Sequence, residues 1–202
     1  MRSRKSRGFS LLELLIVVLI GFTMAGVSFI ALMPLFKENH VDQAYDTTLS
    51  VIRTYRNQAV TQSKRYILVF TPPATITVQY WGVGVPVSPA PVTIASYTLP
   101  QDMQFAVQAG FPAAVPDNIG NPGTAVQFNA CTVTEAGNPC VIFYPDGSAQ
   151  DDLGNFNNGI VYITRPTSNA YSSRAITVLG TTGRARGWRL YNQGGVNTWM
   201  QQ

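Results

Sequence analysis

A long apolar segment lies directly behind a short basic N-terminus. Residues 8–36 read GFSLLELLIVVLIGFTMAGVSFIALMPLF, and the 19 residues from Leu14 to Leu32 carry no charge. As a helix, these residues are long enough to cross a hydrocarbon core about 30 Å thick. Basic residues ahead of an apolar run favour retention of that end in the cytoplasm. The pattern predicts one membrane-spanning helix, with the rest of the chain on the far side of the membrane.

Three kinds of N-terminal sequence compete for this segment. A cleaved secretory signal has an apolar core of only about 7–15 residues, which is shorter than this run. An ordinary membrane anchor fits the length but gives Glu13 no role, since a carboxylate in hydrocarbon is costly unless something pairs with it. The third kind also accounts for Glu13.

The residues from Arg7 to Ile20 resemble the class III leader of type IV pilins and type II secretion pseudopilins. A basic leader is followed by Gly8, Phe9 and the sequence SLLE, which ends at Glu13. The resemblance implies that prepilin peptidase cuts between Gly8 and Phe9 and methylates the new N-terminus. It also implies that Glu13 pairs with the amino group of Phe9, its own or a neighbour's, in filament assembly, which would offset the cost of burying the carboxylate.

The net charge belongs to the leader. The chain has 202 residues, of which 46% are hydrophobic and 12% charged, and this excludes a disordered chain and a long coiled coil. Its formal charge is +4, from 14 basic and 10 acidic residues. Removal of the four leader bases leaves 10 bases against 10 acids; these four are Arg2, Arg4, Lys5 and Arg7. Bulk charge therefore gives no indication of nucleic acid as a partner.

The rest of the chain predicts an amphipathic helix and then a β-rich region. Pro34 predicts a kink or local melting of the helix. Beyond Lys37, apolar residues recur every three or four positions, at Val41, Tyr45, Leu49, Ile52, Tyr55 and Ala59. At Tyr66 the period changes to two, which predicts strands at Tyr66–Phe70, Thr75–Trp81, Val92–Thr98, Gln104–Gln108, Ala125–Phe128, Val141–Tyr144, Gly159–Thr164, Arg174–Leu179 and Ala185–Tyr191.

These patterns divide the chain into five segments. They are a leader at 1–8, an apolar transmembrane and filament-core helix at 9–36, an amphipathic helix at 37–65, a β-rich head at 66–191 and a flexible tail at 192–202. Frequent prolines between 71 and 125 predict long exposed loops. The predicted fold class is α+β, and the resemblance implies the type IV pilin-like fold, in which the outer half of the helix packs on an antiparallel head.

Four later segments narrow the resemblance. Residues 52–70 (IRTYRNQAVTQSKRYILVF), 141–150 (VIFYPDGSAQ), 157–164 (NNGIVYIT) and 173–186 (SRAITVLGTTGRAR) come in the order seen in pseudopilin H and FimT-like minor pilins. The resemblance implies a low-abundance structural subunit of a type IV pilus or of the type II secretion system. Its partners would be prepilin peptidase, other pilins and the bacterial inner membrane, with the N-terminus cytoplasmic and the head periplasmic or extracytoplasmic.

The C-terminal third contains a candidate DNA-binding strip. No acid follows Asp152, yet five arginines do, at Arg165, Arg174, Arg184, Arg186 and Arg189. In a strand, Arg184, Arg186 and Trp188 share one face, and guanidinium groups beside an aromatic ring suit DNA without sequence preference.

The Gly-Arg-x-Arg pattern at 183–186 also resembles the motif by which FimT-like minor pilins bind DNA during natural transformation, with Arg189 close behind it. The alternative is structural. Secretion pseudopilins end in a similar strand without a DNA role, and surface arginines keep sheet edges soluble.

The remaining reactive residues give little indication of catalysis. Cys131 and Cys140 predict one disulfide if the head lies outside the cytoplasm, whereas a zinc site would lack its other ligands. His40 is the single histidine, and no nucleophile–base pattern surrounds it. We expect no enzyme activity, cofactor or metal; Asp146, Asp151 and Asp152 offer carboxylates to calcium, but their spacing does not match an EF-hand loop and solvated turns are the alternative.

Overall fold

One long helix precedes the strands. The computed structural model describes residues 10–82, 90–132, 137–166 and 169–202, without the side chains of 30–38. Helix α1 extends from Leu11 to Gln62, and the chain divides into two compact units, Met1–Asn39 and His40–Gln202. Helix α1 continues through Pro34, so the predicted local melting does not occur. A proline removes a single backbone hydrogen bond, which the helical turns on both sides tolerate.

The first unit contains the apolar part of α1. Residues Leu11–Phe29 have a mean hydropathy of 2.3 over their most apolar window, and no residue of that window is buried. Among the described residues, this is the one helical segment whose length and composition suit a membrane span. No described residue of this unit covers the apolar side chains of Leu11–Phe29.

The second unit is α+β, as predicted. In the described residues, α1 is followed by the strands β1 Arg65–Thr71, β2 Thr75–Trp81, β3 Val92–Thr98, β4 Gln104–Phe105, β5 Val126–Gln127, β6 Cys140–Phe143, β7 Ala149–Gln150, β8 Gly159–Thr164, β9 Arg174–Leu179, β10 Arg184–Gln193 and β11 Val196–Gln201. The strands pair antiparallel in two sheets. The first has the order β3-β2-β1-β6-β7, and the second β11-β10-β9-β8-β4 with β5 also paired to β8.

The main core lies where residues 40–62 of α1 meet the inner faces of both sheets. Every apolar position of the predicted helical stripe is buried, from Val41 to Ala59. The stripe shares one apolar cluster with alternate strand residues of the first sheet, such as Leu68 and Phe70, and of the second, such as Ile163 and Ile176. The 3.6-residue period of the helix and the two-residue period of the strands thus bring one face of each element to a common core.

Residues 71–125 are predicted to form long exposed loops, but parts of this stretch are buried. Leu99, Met103 and Phe105 are buried. The segment after β4 covers the outer face of the second sheet, where Phe111 packs against Tyr162 and Trp199. Every residue of β8 is buried, so this sheet presents apolar side chains on both faces and needs a cover on each. Residues 83–89 of the stretch lie outside the described residues.

The tail prediction was wrong, because residues Val196–Gln201 form β11 and pair with β10. Gly194 and Gly195 both have positive φ, at 60° and 89°, and form the turn of this hairpin. Trp199 of β11 is only 8% exposed and lies in the outer cluster of the second sheet. A Gly-Gly pair fits a flexible tail and a tight hairpin equally well, and the buried indole favours the hairpin.

A disulfide joins Cys131 and Cys140 across a Cα–Cα distance of 5.6 Å. Both cysteines are buried in a small cluster on the outer face of the first sheet, together with Ile67, Val69, Trp81 and Ile142. The bridge closes a short loop, with a sequence separation of 9, onto this cluster.

We expect the double substitution Cys131→Ala/Cys140→Ala to lower the free energy of unfolding by about 2–3 kcal/mol, since the unfolded chain regains the entropy of an open loop. Urea unfolding of the full chain in nonionic detergent measures this loss. Reduction of the wild-type chain is the control, because it opens the loop and keeps both sulfur atoms. Equal stability of the oxidised and reduced chains would show that the bridge does not stabilise the head.

Candidate functional site

The N-terminal candidate residues lie at the start of α1. Gly8 and Phe9 fall outside the described residues. Glu13 is in the first turn of α1 as described and is exposed. No basic residue occurs from Ser10 to Phe36, so a cationic partner for this carboxylate must come from the N-terminal end of the helix or from another chain. A helix N-terminus also favours an acidic side chain.

The predicted DNA-binding residues divide between the two faces of β10. Arg186 lies opposite Thr177, and Trp188 opposite Ala175, on the outer face of the second sheet. Arg189 lies opposite Arg174 and therefore points to the other face. Because side chains alternate along a strand, Arg189 cannot join the strip on the outer face.

Asp117 occupies the predicted strip. Its Oδ1 is 2.7 Å from Nη1 of Arg186, in an ion pair whose side chains are 37% (Arg186) and 19% (Asp117) exposed. Thr177 Oγ1 donates to Asp117 Oδ2 at 2.6 Å, and Trp188 Nε1 donates to Thr177 Oγ1 at 3.0 Å. The charge of Arg186 is thus compensated, and the ring of Trp188 packs on the outer cluster instead of forming an open plate.

Arg184 remains as the one member of the strip that is exposed and has no ion pair with any described residue. No pattern in the sequence indicated that Asp117 pairs with Arg186. Asp117 lies 69 positions earlier, in the loop that covers the second sheet. No acid follows Asp152 in the sequence, but an acid from an earlier loop lies beside the strand in the fold.

Arg56 of α1 joins two turns at the edge of the head. Its Nε donates to the carbonyl of Gly147 at 3.2 Å and to the carbonyl of Thr182 at 2.9 Å. Gly183 follows at φ 60°, and a Cβ built on it would lie 2.2 Å from the carbonyl oxygen of Gly147. Gly147 and Gly183 therefore have a packing role, since the lack of a side chain at each allows both turns to close around Arg56.

We expect Gly183→Ala to lower the free energy of unfolding by about 2–4 kcal/mol, because a backbone oxygen occupies the space of the new methyl group and φ is unfavourable. Urea unfolding of the full chain measures it. The matched control is Gly194→Ala, since Gly194 also has φ 60° and nothing lies within 4 Å of its built Cβ. Equal losses of stability for the two variants would mean that the backbone of Gly147 shifts to accommodate the new methyl group without destabilising the fold.

The aspartates considered for calcium are engaged by hydrogen-bond donors. The hydroxyl of Ser148, and then its backbone N–H, donate to Asp146 and lower the pKa of Asp146. Burial acts to raise the pKa of Asp151, but donors outweigh it and hold the pKa below the ordinary value; these are groups of Asn129, Leu153 and Asn155. Thr132 donates to Asp152. The described residues contain no group of three or more His, Cys, Asp or Glu that could hold a metal ion.

His40 contacts a carboxylate of the second unit that also pairs with Arg165. Its Nδ1 is 2.8 Å from Asp102 Oδ1, and Asp102 Oδ2 is 3.2 Å from Nε of Arg165. Among the described side chains, no hydroxyl or thiol hydrogen-bonds to the imidazole ring. Acyl-transfer catalysis requires a nucleophile beside the base. The side chain that His40 contacts here is the carboxylate of Asp102.

Comparison with known proteins identifies the N-terminal segment. The family model of the prokaryotic N-terminal methylation motif matches residues 3–29, a span that includes Gly8, Phe9 and Glu13. The match supports a type IV pilin-like chain, a substrate of prepilin peptidase, and the described α+β fold is consistent with the pilin-like fold. No curated protein and no solved structure matches the chain.

Proposed function

We propose that the chain is a minor pilin or pseudopilin, a structural subunit of a type IV pilus or type II secretion system. The observation that carries the proposal is the methylation motif at residues 3–29, which overlaps an apolar helix without buried residues from Leu11 to Phe29. Such a helix needs lipid or other helices around it, since exposed apolar surface is unfavourable in water. The proposed role is structural, not catalytic.

The proposed location is the bacterial inner membrane, with the N-terminus in the cytoplasm and the head outside it. The basic leader supports this orientation, because cytoplasmic ends carry an excess of Lys and Arg. The Cys131–Cys140 bridge also supports it, since disulfides persist in oxidising compartments.

Processing and assembly are coupled in the proposed mechanism through one new charge. Cleavage between Gly8 and Phe9 removes the four leader bases and creates an α-amino cation. Residues 10–36 offer Glu13 no cationic partner, and the new amino group of Phe9, on the same chain or on a neighbour, supplies one. Pairing between neighbouring chains would set the axial register of the bundled helices, because an unpaired charge in an apolar bundle is strongly unfavourable.

Crosslinking in native cells tests this function. The cell envelope is treated with a short amine-reactive crosslinker, the chain is precipitated in detergent, and its covalent partners are identified by mass spectrometry. We expect partners that carry the same N-terminal methylation motif. Crosslinks exclusively to proteins without that motif would contradict a role as a filament subunit.

We also consider DNA binding as a second candidate function. It is favoured by Arg184, which is exposed and has no ion pair with any described residue, and by the two arginines of α1 that line the same cleft, Arg53 and Arg56. The gel shift of single-stranded DNA by the full chain in nonionic detergent tests it. Binding should weaken steeply with salt, because phosphate contacts release counterions, and it should weaken again in Arg184→Gln. A chain that gives no shift at low salt has the structural role alone.

A further inference from the structure

Three arginines surround one cleft of the second unit. The cleft has a volume of about 470 Å³ and lies between α1 and the start of β10, where it is lined by Arg53, Arg56, Asn57, Thr182, Arg184 and Ala185. No carboxylate is among these lining residues. Arg184 also lines a neighbouring cleft together with Arg186.

The charges in this cleft differ from those of three other arginines on the head, which are paired with acids. Arg165, Arg174 and Arg186 each face an aspartate, at 3.2, 2.7 and 2.7 Å. Arg53 and Arg184 are exposed and form no ion pair within the described residues. Arg56 donates to two carbonyl groups, which fix its position, and it forms no ion pair with any described residue.

Three guanidinium groups around one cleft repel one another, and an anion between them would remove that repulsion. Each group presents donors in a planar fork that matches phosphate oxygens. Thr182 and Asn57 add neutral polar groups to the same lining. The hydrogen bonds of Arg56 hold one fork in place before any ligand arrives, so less side-chain entropy is lost on binding.

We propose that this arginine cleft, formed by Arg53, Arg56 and Arg184, binds a phosphate group. The phosphate belongs either to a free ion or to the backbone of a nucleic acid. With a free ion the site is independent of both proposed functions. With a nucleic acid it rests on the second candidate function, and the contact lies in the cleft beside α1 and not along the strip of Arg184, Arg186 and Trp188 that the sequence predicts.

Calorimetric titration of the full chain with inorganic phosphate tests the cleft. The titration is done in nonionic detergent at pH 8 and low chloride, and anisotropy of a labelled single-stranded oligonucleotide forms a parallel arm. All variants are compared in the same processing state, since the four leader bases would also attract polyanions. The variants are Arg53→Gln and Arg184→Gln, both at exposed positions, and circular dichroism checks that each one is folded.

The matched control is Arg186→Gln, which removes the same charge two positions from Arg184 but from a residue already paired with Asp117. We expect saturable phosphate binding that weakens about tenfold or more in each cleft variant, as lost charge-assisted hydrogen bonds predict, and less than about twofold in the control.

The two arms separate the sources of phosphate. Binding of inorganic phosphate without the oligonucleotide assigns the site to a free ion and ends the DNA candidate, whereas binding of both, with loss of both in the cleft variants, assigns it to a nucleic-acid backbone. Absence of saturable phosphate binding by the folded wild-type chain would overturn the proposal that the arginine cleft binds phosphate. An equal loss in Arg186→Gln would also overturn it, because general surface charge would then explain the affinity.

Discussion

A Glu13→Ala chain is expected to be processed and inserted in the membrane but to be almost absent from crosslinked assemblies. In the proposed assembly, the carboxylate of Glu13 compensates the amino cation of Phe9 in its own chain or a neighbour. Loss of one partner of a buried ion pair costs about 3–5 kcal/mol, which corresponds to a fall of about a hundredfold or more in the assembled fraction. Quantitative immunoblotting of the crosslinked envelope measures this fraction.

The controls separate charge from shape at this position. Glu13→Gln keeps the size and hydrogen-bonding capacity of the side chain but removes its charge, so it should behave like Glu13→Ala. Glu13→Asp keeps the charge and should retain part of the assembly. Wild-type crosslinking of the Glu13→Ala chain would contradict a role of the ion pair in register.

A Gly8→Leu chain is expected to remain unprocessed. A residue without a side chain ahead of the scissile bond allows the peptide backbone to approach the peptidase closely, and a branched side chain obstructs that approach. Gly8→Ala adds a single methyl group and should be cut more completely. Pulse-labelling followed by electrophoresis distinguishes the full-length chain from the product that lacks residues 1–8.

The control for the Gly8 prediction is the membrane insertion of the same two variants. Both variants keep the basic leader and the apolar segment, so both should be inserted. Complete processing of Gly8→Leu at the wild-type rate would show that the peptidase does not recognise this glycine.

The local elements of the fold were largely predictable from the sequence. The burial of the stripe from Val41 to Ala59 follows from a 3.6-residue period that nothing interrupts, and Thr75–Trp81, Val92–Thr98, Gly159–Thr164 and Arg174–Leu179 are strands with the predicted bounds. The helix and three of these strands bury a face that their own residues define, whereas Val92–Thr98 is an edge strand without a fully buried residue. Local pattern was sufficient where turn residues also marked the ends.

Long-range contacts were not predictable from the same patterns. Asp117 neutralises Arg186 across 69 positions of sequence, and only the path of the loop over the second sheet brings the two together. The convergence of Arg53 and Arg56 with Arg184 likewise depends on how α1 lies against β10. Electrostatic surroundings are set by tertiary packing, so the number of arginines in a segment does not show which of them are free to bind a ligand.

Mass spectrometry of the N-terminal peptide of the chain purified from its own cells tests the central claim most directly. The account predicts that the mature chain begins at Phe9, lacks residues 1–8 and carries one methyl group on its α-amino nitrogen. A chain that begins at Met1, or one cut beyond the apolar segment as a secretory signal would be, would contradict the account.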